Sequence, residues 1–259
     1  MGRYLCFSKG GESLNPTLIL LFQRGESSSA LEHGNEKRFK RRKFYVTHTR
    51  YISLVLNTMS YSQFTLATVK KTFNLTTYEE MAIFSQVPAL KCSDYLIETL
   101  QYNVPLALAS NTEKARSEMI ITPILIAARK QLNADFNLFS GVEFDVEPEQ
   151  GLGGYCDFIL SRSAEKLFVA APVVMLVEAK NENINYGLGQ CVAEMVAAQL
   201  FNQREQNPIT AIYGVVTTGT NWKFLRLIDQ QVEIDLKEYY LSEIDQILGI
   251  LKAGIQNGT

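Results

Sequence analysis

The feature that most constrains the fold is an uninterrupted apolar run, Val173–Val177, which ends abruptly in Glu178-Ala179-Lys180. A continuous run of branched and long apolar residues is typical of a strand that is buried on both faces. Such a strand needs helices on both sides of its sheet, which is the arrangement found in α/β proteins. The run therefore predicts a central strand in a sheet covered by helices.

Periodic patterns on both sides of this run predict the remaining elements. Alternation and turn signals predict strands over residues 136–146, 155–161, 171–180, 209–217, 222–228 and 232–236. Helical spacing and capping-box sequences predict helices over residues 76–84, 110–132, 185–201 and 242–251. Pro123 is expected to kink the second of these helices or to divide it in two. This order of elements predicts an α/β fold with a mixed central β-sheet flanked by α-helices.

Charge divides the chain into two parts. Residues 1–58 carry 10 Lys and Arg against 4 Asp and Glu, whereas residues 59–259 carry 15 against 23. Residues 1–58 lack sustained periodicity and contain a basic run at 37–43, so they are interpreted as a disordered basic arm or as a misassigned upstream segment before a true start at Met59. We expect residues 59–109 to form a helical preface and residues 110–259 to form the main domain.

The histidine content limits the chemistry of the main domain. The two histidines, His33 and His48, both precede residue 59. Residues 59–259 therefore cannot supply a Ser-His-Asp triad, a Cys-His dyad or a histidine-bound zinc. No stretch reaches the roughly 18 apolar residues that span a bilayer, so we expect no membrane association and a cytoplasmic location.

Three charged residues occupy places where apolar residues are expected. Glu178 and Lys180 are two apart at the end of the buried strand, so their side chains leave it on the same face. Asp157 interrupts the otherwise apolar strand over residues 155–161, although Asp is disfavoured in strands. Two interpretations remain open for these residues: ordinary polar strand ends, or a site at which neighbouring strands bring the side chains together.

A bound divalent cation would explain why the second interpretation places these charged side chains together. If the two strands are neighbours, Asp157 and Glu178 could share one ion, and their hard oxygen ligands suit Mg²⁺ or Mn²⁺. Such an ion can polarise a phosphoryl oxygen and activate a water molecule. Lys180 could then stabilise developing negative charge or orient the attacking water.

The ordered set of these residues carries a family resemblance. The residues concerned are Glu118 on the predicted first core helix, Asp157 in Gly154-Tyr155-Cys156-Asp157, Glu178 and Lys180 in Glu178-Ala179-Lys180, Gln190 on the next helix, and Trp222 in the hairpin Thr217–Phe224. Over about residues 110–236 the chain resembles the PD-(D/E)XK nuclease superfamily, most closely the N-terminal nuclease domain of type I restriction-enzyme motor subunits. Cys156 departs from the proline that commonly precedes the aspartate.

The resemblance implies a restriction-endonuclease-like core that hydrolyses DNA phosphodiester bonds with Mg²⁺ or Mn²⁺, in restriction, defence or DNA processing. It implies Asp157, Glu178, Lys180, Glu118 and Gln190 as site residues, with Asp157, Glu178 and Glu118 as metal ligands. The chain has no G-x-x-x-x-G-K-[ST] motif, so we expect any DNA translocation to come from a separate motor or specificity subunit. The sequence is compatible with self-association of the chain and with RNA as the substrate. The alternative, favoured by the acidic main domain, is a non-catalytic interaction or structural protein that retains the fold.

Overall fold

An eight-stranded mixed sheet organises the described residues, which are 59–133, 135–207 and 209–257 of this computed structural model. The expectations for residues 1–58 lie outside the described residues. The strands are β1 (Thr76–Glu80), β2 (Asn137–Glu143), β3 (Tyr155–Ser161), β4 (Val173–Ala179), β5 (Ile212–Thr217), β6 (Asn221–Ile228), β7 (Gln231–Asp235) and β8 (Tyr239–Tyr240). Their order is β1-β7-β6-β5-β4-β3-β2, and β8 pairs with β6. The β1–β7 and β4–β5 pairs are parallel, and the others are antiparallel.

Helices cover both faces of this sheet, as the sequence predicts. They are α1 (Leu66–Thr72), α2 (Asp94–Ser110), α3 (Glu113–Arg116), α4 (Thr122–Gln131), α5 (Ile184–Arg204) and α6 (Ile244–Asn257), with a π-helical turn over Ser117–Ile121. Apolar residues of α2, α4 and α6 pack in one core, and those of α1 and α5 pack in the other. None of the helices in the described ranges is long and apolar enough to cross a bilayer.

Strand β4 is the buried central strand that the apolar run predicts. Every residue from Val173 to Ala179 is buried, although the sequence includes Glu178. Val177 packs in the core that contains α4, whereas Leu176 packs in the core that contains α5. The strand is therefore enclosed from both sides, which is why a charged residue near its end has little access to water.

The hairpin between β5 and β6 is also confirmed. The side chain of Trp222 is fully buried, and its indole Nε1 donates a hydrogen bond of 2.9 Å to the carbonyl oxygen of Gly219. Its ring stacks on Phe224 with 6.5 Å between ring centroids. Trp222 therefore packs the hairpin and is not presented to a ligand.

The short helix predicted over residues 76–84 is wrong. Thr76–Glu80 forms strand β1, which pairs in parallel with β7 at the edge of the sheet. Thr76, Thr77 and Tyr78 are β-branched or aromatic residues, which favour strands, and pairing with β7 supplies backbone hydrogen bonds that a two-turn helix could not match. The capping-box spacing from Thr76 to Glu79 was thus a local signal overridden by the sheet.

Helical structure fills most of the range predicted as a helix, residues 110–132, but this helical run begins at Glu113 rather than at Ser110. Helix α2 ends at Ser110, because Asn111 adopts a left-handed conformation with a φ of 49°. Thr112, rather than Ser110, caps the next helix by accepting a hydrogen bond from the amide of Ala115. Helical backbone then continues from α3 through the π-helical turn into α4, and Pro123 lies inside this run, directly after the π-helical turn, where its missing amide hydrogen removes one helical bond.

A buried carboxylate joins the edge of the sheet to the loop after β1. Asp235 Oδ1 accepts hydrogen bonds from the amides of Ala82 at 2.7 Å and Lys237 at 2.9 Å. Its Oδ2 accepts from the hydroxyl of Tyr239 at 3.0 Å and the amide of Phe84 at 3.4 Å. Because these donors are supplied by the fold, the Asp235 carboxylate has a structural role.

We expect Asp235→Ala to lower the free energy of unfolding by about 3 kcal/mol or more, because several donors lose their partner inside the protein. Urea unfolding measures the change. Glu98→Ala removes a carboxylate from an exposed position on α2 and should change stability by less than about 0.5 kcal/mol. Equal effects of the two substitutions would contradict the structural role of Asp235.

Candidate functional site

The two carboxylates singled out in the sequence lie at the same end of a strand pair. Strands β3 and β4 are antiparallel neighbours, and Phe158 lies opposite Val177. Asp157 and Glu178 are the next residues beyond this pair, one on each strand. The expectation that they lie on adjacent strands is confirmed, and Lys180 follows directly after β4.

Asp157 faces a cleft between the sheet and the helical segment. Its Oδ2 accepts a 2.8 Å hydrogen bond from the amide of Ala179, which fixes the half-buried carboxylate against β4. The cleft has a volume of about 220 Å³. Its lining consists of Glu113, Lys114, Ser117, Glu118 and Thr122 on the helical side and Ser140, Gly141, Asp157 and Ala179 on the sheet side.

Glu178 is almost completely buried and is paired with Lys180. The ammonium group of Lys180 forms an ion pair with Oε1 of Glu178 and lies 3.4 Å from Oε1 of Gln190. Within the described residues, no hydrogen-bond donor reaches Oε2 of Glu178. The structure thus brings Asp157, Glu178, Lys180 and Gln190 together at the end of β4.

A further buried acid, Glu194, belongs to the same cluster and was not identified from the sequence. It lies one turn after Gln190 on α5, and its Oε1 accepts a 3.1 Å hydrogen bond from Nε2 of Gln190. The side chain is fully buried, and its Oε2 also lacks a donor among the described residues. The i, i+4 spacing from Gln190, inside an apolar stretch of helix, is the signal that could have revealed it.

The electrostatics of this cluster follow from its burial. Burial raises the pKa of Glu178, and repulsion from Glu194 and Asp157 raises it further, while Lys180 opposes the shift. Burial likewise raises the pKa of Glu194. Burial lowers the pKa of Lys180, but the adjacent Glu178 carboxylate outweighs that effect and the net shift is upward. These shifts agree if Glu178 and Glu194 together hold one proton while Lys180 stays charged.

Glu118 lies on the other side of the cleft from these groups. It belongs to the π-helical turn, its side chain is 60% exposed, and Lys114 forms a 2.8 Å ion pair with its carboxylate. Glu118 therefore shares the cleft with Asp157 but is held away from the buried acids. Across the described ranges, no three or more His, Cys, Asp or Glu side chains are already arranged to hold a metal ion.

Two structural details position the cluster. Gly187 allows α5 to pass close to Lys180, because a Cβ atom there would lie 3.1 Å from Cγ of Lys180 and 2.6 Å from Cγ1 of Val216. Arg116 ties α3 to the loops that follow β4 and β5, through hydrogen bonds of 3.1 Å to Oδ1 of Asn181 and 3.0 Å to the carbonyl oxygen of Thr218. The helical wall of the cleft is thereby fixed relative to the strand ends.

Comparison with protein-family models, with curated proteins and with solved structures finds no match for this chain.

The buried acids predict how stability depends on pH. In metal-free buffer, we expect the free energy of unfolding to fall as the pH rises from about 6 to about 9. The unfolded chain releases the protons of Glu178 and Glu194 near the ordinary glutamate pKa of 4.5, whereas their raised pKa values make the folded chain retain protons at higher pH. Because only the folded state retains these protons in this pH interval, raising the pH favours unfolding.

Urea unfolding in the presence of a chelator, repeated across this pH interval, measures the slope. Glu194→Gln should make the slope shallower, because it removes one of the two acids. Glu182→Gln removes an exposed acid close to the cluster and should leave the slope as it is in the wild type. A slope that is unchanged by Glu194→Gln would show that Glu194 neither retains a proton in the folded protein nor raises the pKa of Glu178.

Proposed function

We propose that this chain is a metal-dependent nuclease of the PD-(D/E)XK type that hydrolyses DNA phosphodiester bonds. The observation that carries the proposal is the convergence of Asp157, Glu178 and Lys180 at the ends of two neighbouring strands, beside an open cleft. We also propose that the mixed sheet and its helices form a restriction-endonuclease-like core.

The donor set fits a divalent cation. Carboxylate oxygens are the ligands preferred by Mg²⁺ and Mn²⁺. The Oε2 atom of Glu178 is buried without a donor, and the repulsion between Glu178 and Asp157 would be relieved by a cation between them. Asp157 and Glu178 would hold the ion, and Glu118 could join them from the opposite wall by leaving Lys114. Such an ion, when bound, polarises a phosphoryl oxygen and lowers the pKa of a bound water.

Lys180 would change its role when a cation enters the site. At present its ammonium group neutralises Glu178 and is restrained by Gln190. Competition for the Glu178 carboxylate would release the ammonium group toward the cleft, where it can stabilise negative charge on a phosphate or orient an attacking water. Gln190 would keep the released side chain from turning into solvent.

The cleft is large enough for a phosphodiester group. Its volume of about 220 Å³ is many times the roughly 10–15 Å³ that one water molecule needs on the same measure. Lys114, which is 82% exposed, lies at the helical wall and could contact a phosphate. DNA is the partner we propose. Participation of a separate motor or specificity subunit, and self-association of the chain, are further parts of this proposal.

The second candidate is a non-catalytic interaction protein with the same fold. It is favoured by the ion pair between Lys180 and Glu178, because the ammonium group of Lys180 already places a positive charge beside the buried acids. It is also favoured by the sparse positive charge at the cleft, since Arg116 is engaged with Asn181 and Thr218. A nuclease would need additional cations, from metal or from partner proteins, to hold a DNA backbone.

Substitutions at the strand ends separate binding from catalysis. We expect Asp157→Asn and Glu178→Gln to abolish both Mn²⁺ binding and DNA cleavage, because each removes a charged ligand. Lys180→Ala should retain or strengthen Mn²⁺ binding while cleavage falls by on the order of 10²-fold, as for loss of one transition-state stabilising group. Calorimetric titration with Mn²⁺, performed alongside cleavage of plasmid, linear and single-stranded DNA, measures both effects.

Exposed residues of the same types serve as controls. Lys166→Ala, in the loop between β3 and β4, and Glu182→Gln, after β4, should bind Mn²⁺ and cleave DNA like the wild type. If Lys180→Ala cleaves at the wild-type rate, Lys180 takes no part in the reaction. If the wild-type protein binds Mn²⁺ yet cleaves no DNA or RNA, the non-catalytic candidate is supported.

A further inference from the structure

Two buried carboxylates in the cluster each have one oxygen atom without a hydrogen-bond donor among the described residues. Glu178 is 1% exposed and Glu194 is 0% exposed. In the described part of the chain, neither Oε2 atom has a hydrogen-bond partner. The two side chains are linked through their other oxygens, because Lys180 pairs with Oε1 of Glu178 and lies 3.4 Å from Oε1 of Gln190, whose Nε2 donates to Oε1 of Glu194. Ionised carboxylates are acceptors only, so this pair needs a positive charge or a proton at the point where they meet.

The remaining contacts of Glu194 direct it toward that point. Its Oε1 is already held by Gln190 Nε2 at 3.1 Å, so Oε2 is the atom left for another ligand. Asp157 lies on the strand next to that of Glu178, and beyond the effect of burial its charge raises the pKa of both Glu178 and Glu194, so the three acids belong to one cluster. Glu118, by contrast, is more than half exposed and is paired with Lys114.

Burial of two acids that have no ligand would lower the stability of the folded protein. Each carboxylate has a partner at Oε1, but its Oε2 atom loses hydration and gains no compensating hydrogen bond from the described residues, whereas an apolar residue at the position of Glu194 would avoid that cost. Neighbours of Glu194 on α5 such as Val192 and Ala197 are apolar and fully buried. The acid is therefore best explained by a ligand that is positively charged.

We propose that Glu194 is a direct ligand of the divalent cation, forming with Glu178 and Asp157 the three-carboxylate set of the site. On this assignment α5 supplies both the third carboxylate and, through Gln190, the group that orients it. Glu118 would then make at most an additional contact from the outer wall of the cleft. This inference rests on the metal site of the proposed function but does not depend on nuclease activity.

The test is a Mn²⁺ titration of the full-length protein, with the affinity measured by calorimetry and by loss of the free-ion electron paramagnetic resonance signal. We expect Glu194→Gln to raise the Mn²⁺ dissociation constant on the order of tenfold or more, since even changes behind the ligands alter metal affinity by roughly 10–100-fold. Glu182→Gln makes the same substitution at an exposed position close to the cluster and should change the dissociation constant by less than about twofold.

Thermal melting of the same variants guards against misfolding. Without metal, Glu194→Gln should melt at or above the wild-type temperature, because the new amide can donate to Oε2 of Glu178. Glu194→Leu serves as a second variant, since apolar replacement of a buried charge is often neutral or stabilising, and it should lose Mn²⁺ affinity to at least the same extent. Addition of Mn²⁺ should raise the melting temperature of the wild type much more than that of either variant.

The outcomes separate this inference from the proposed function. If the wild type binds Mn²⁺ and the folded Glu194 variants bind it equally well, Glu194 is not a ligand, and the site of Asp157 and Glu178 stands without it. If Glu118→Gln weakens binding and the Glu194 variants do not, the third carboxylate is Glu118. Absence of Mn²⁺ binding by the wild type would overturn both proposals. Binding that requires Glu194, without cleavage, would support this inference and reject the nuclease.

Discussion

The arrangement of the site depends on the burial of two glutamates beside a single lysine at the end of β4. Glu178 is enclosed because β4 is a central strand covered on both faces, and Glu194 is enclosed because α5 packs against that strand. Lys180 compensates part of this negative charge through its ion pair with Glu178. The remaining charge must be neutralised by protons or by a cation, so the cluster is an expensive feature unless it has a ligand.

The rest of the fold holds this charge cluster next to an accessible cleft. The hydrogen bond from the amide of Ala179 fixes the carboxylate of Asp157 at the boundary between the buried acids and the cleft. Arg116 secures the helical wall, and Gly187 leaves room for the side chain of Lys180. Asp157 thus lies between the buried acids and the open cleft, and in the proposed function it would connect the cation site with the surface that a phosphate group approaches.

Much of the sheet could be predicted from the sequence because its strongest signals are local. The apolar run before Glu178 and the hairpin around Gly219 both specify their structures over a few residues. Strand β1 could not be predicted, because its state is determined by pairing with β7, which lies about 150 residues further along the chain. Asp157, Glu178 and Lys180 could be identified from the sequence because they are charged residues in apolar stretches. Glu194 was missed because an acid on a helix is ordinarily solvent-exposed, and only the packing of α5 shows that it is buried.

A crystal structure of the full chain with Mn²⁺, in which anomalous scattering locates the ion, shows directly which carboxylates bind the cation. We expect an anomalous peak within coordination distance of the carboxylates of Asp157, Glu178 and Glu194, with Lys180 displaced from Glu178. An anomalous map with no peak among these carboxylates, and with Lys180 still bound to Glu178 at saturating Mn²⁺, would contradict this expectation.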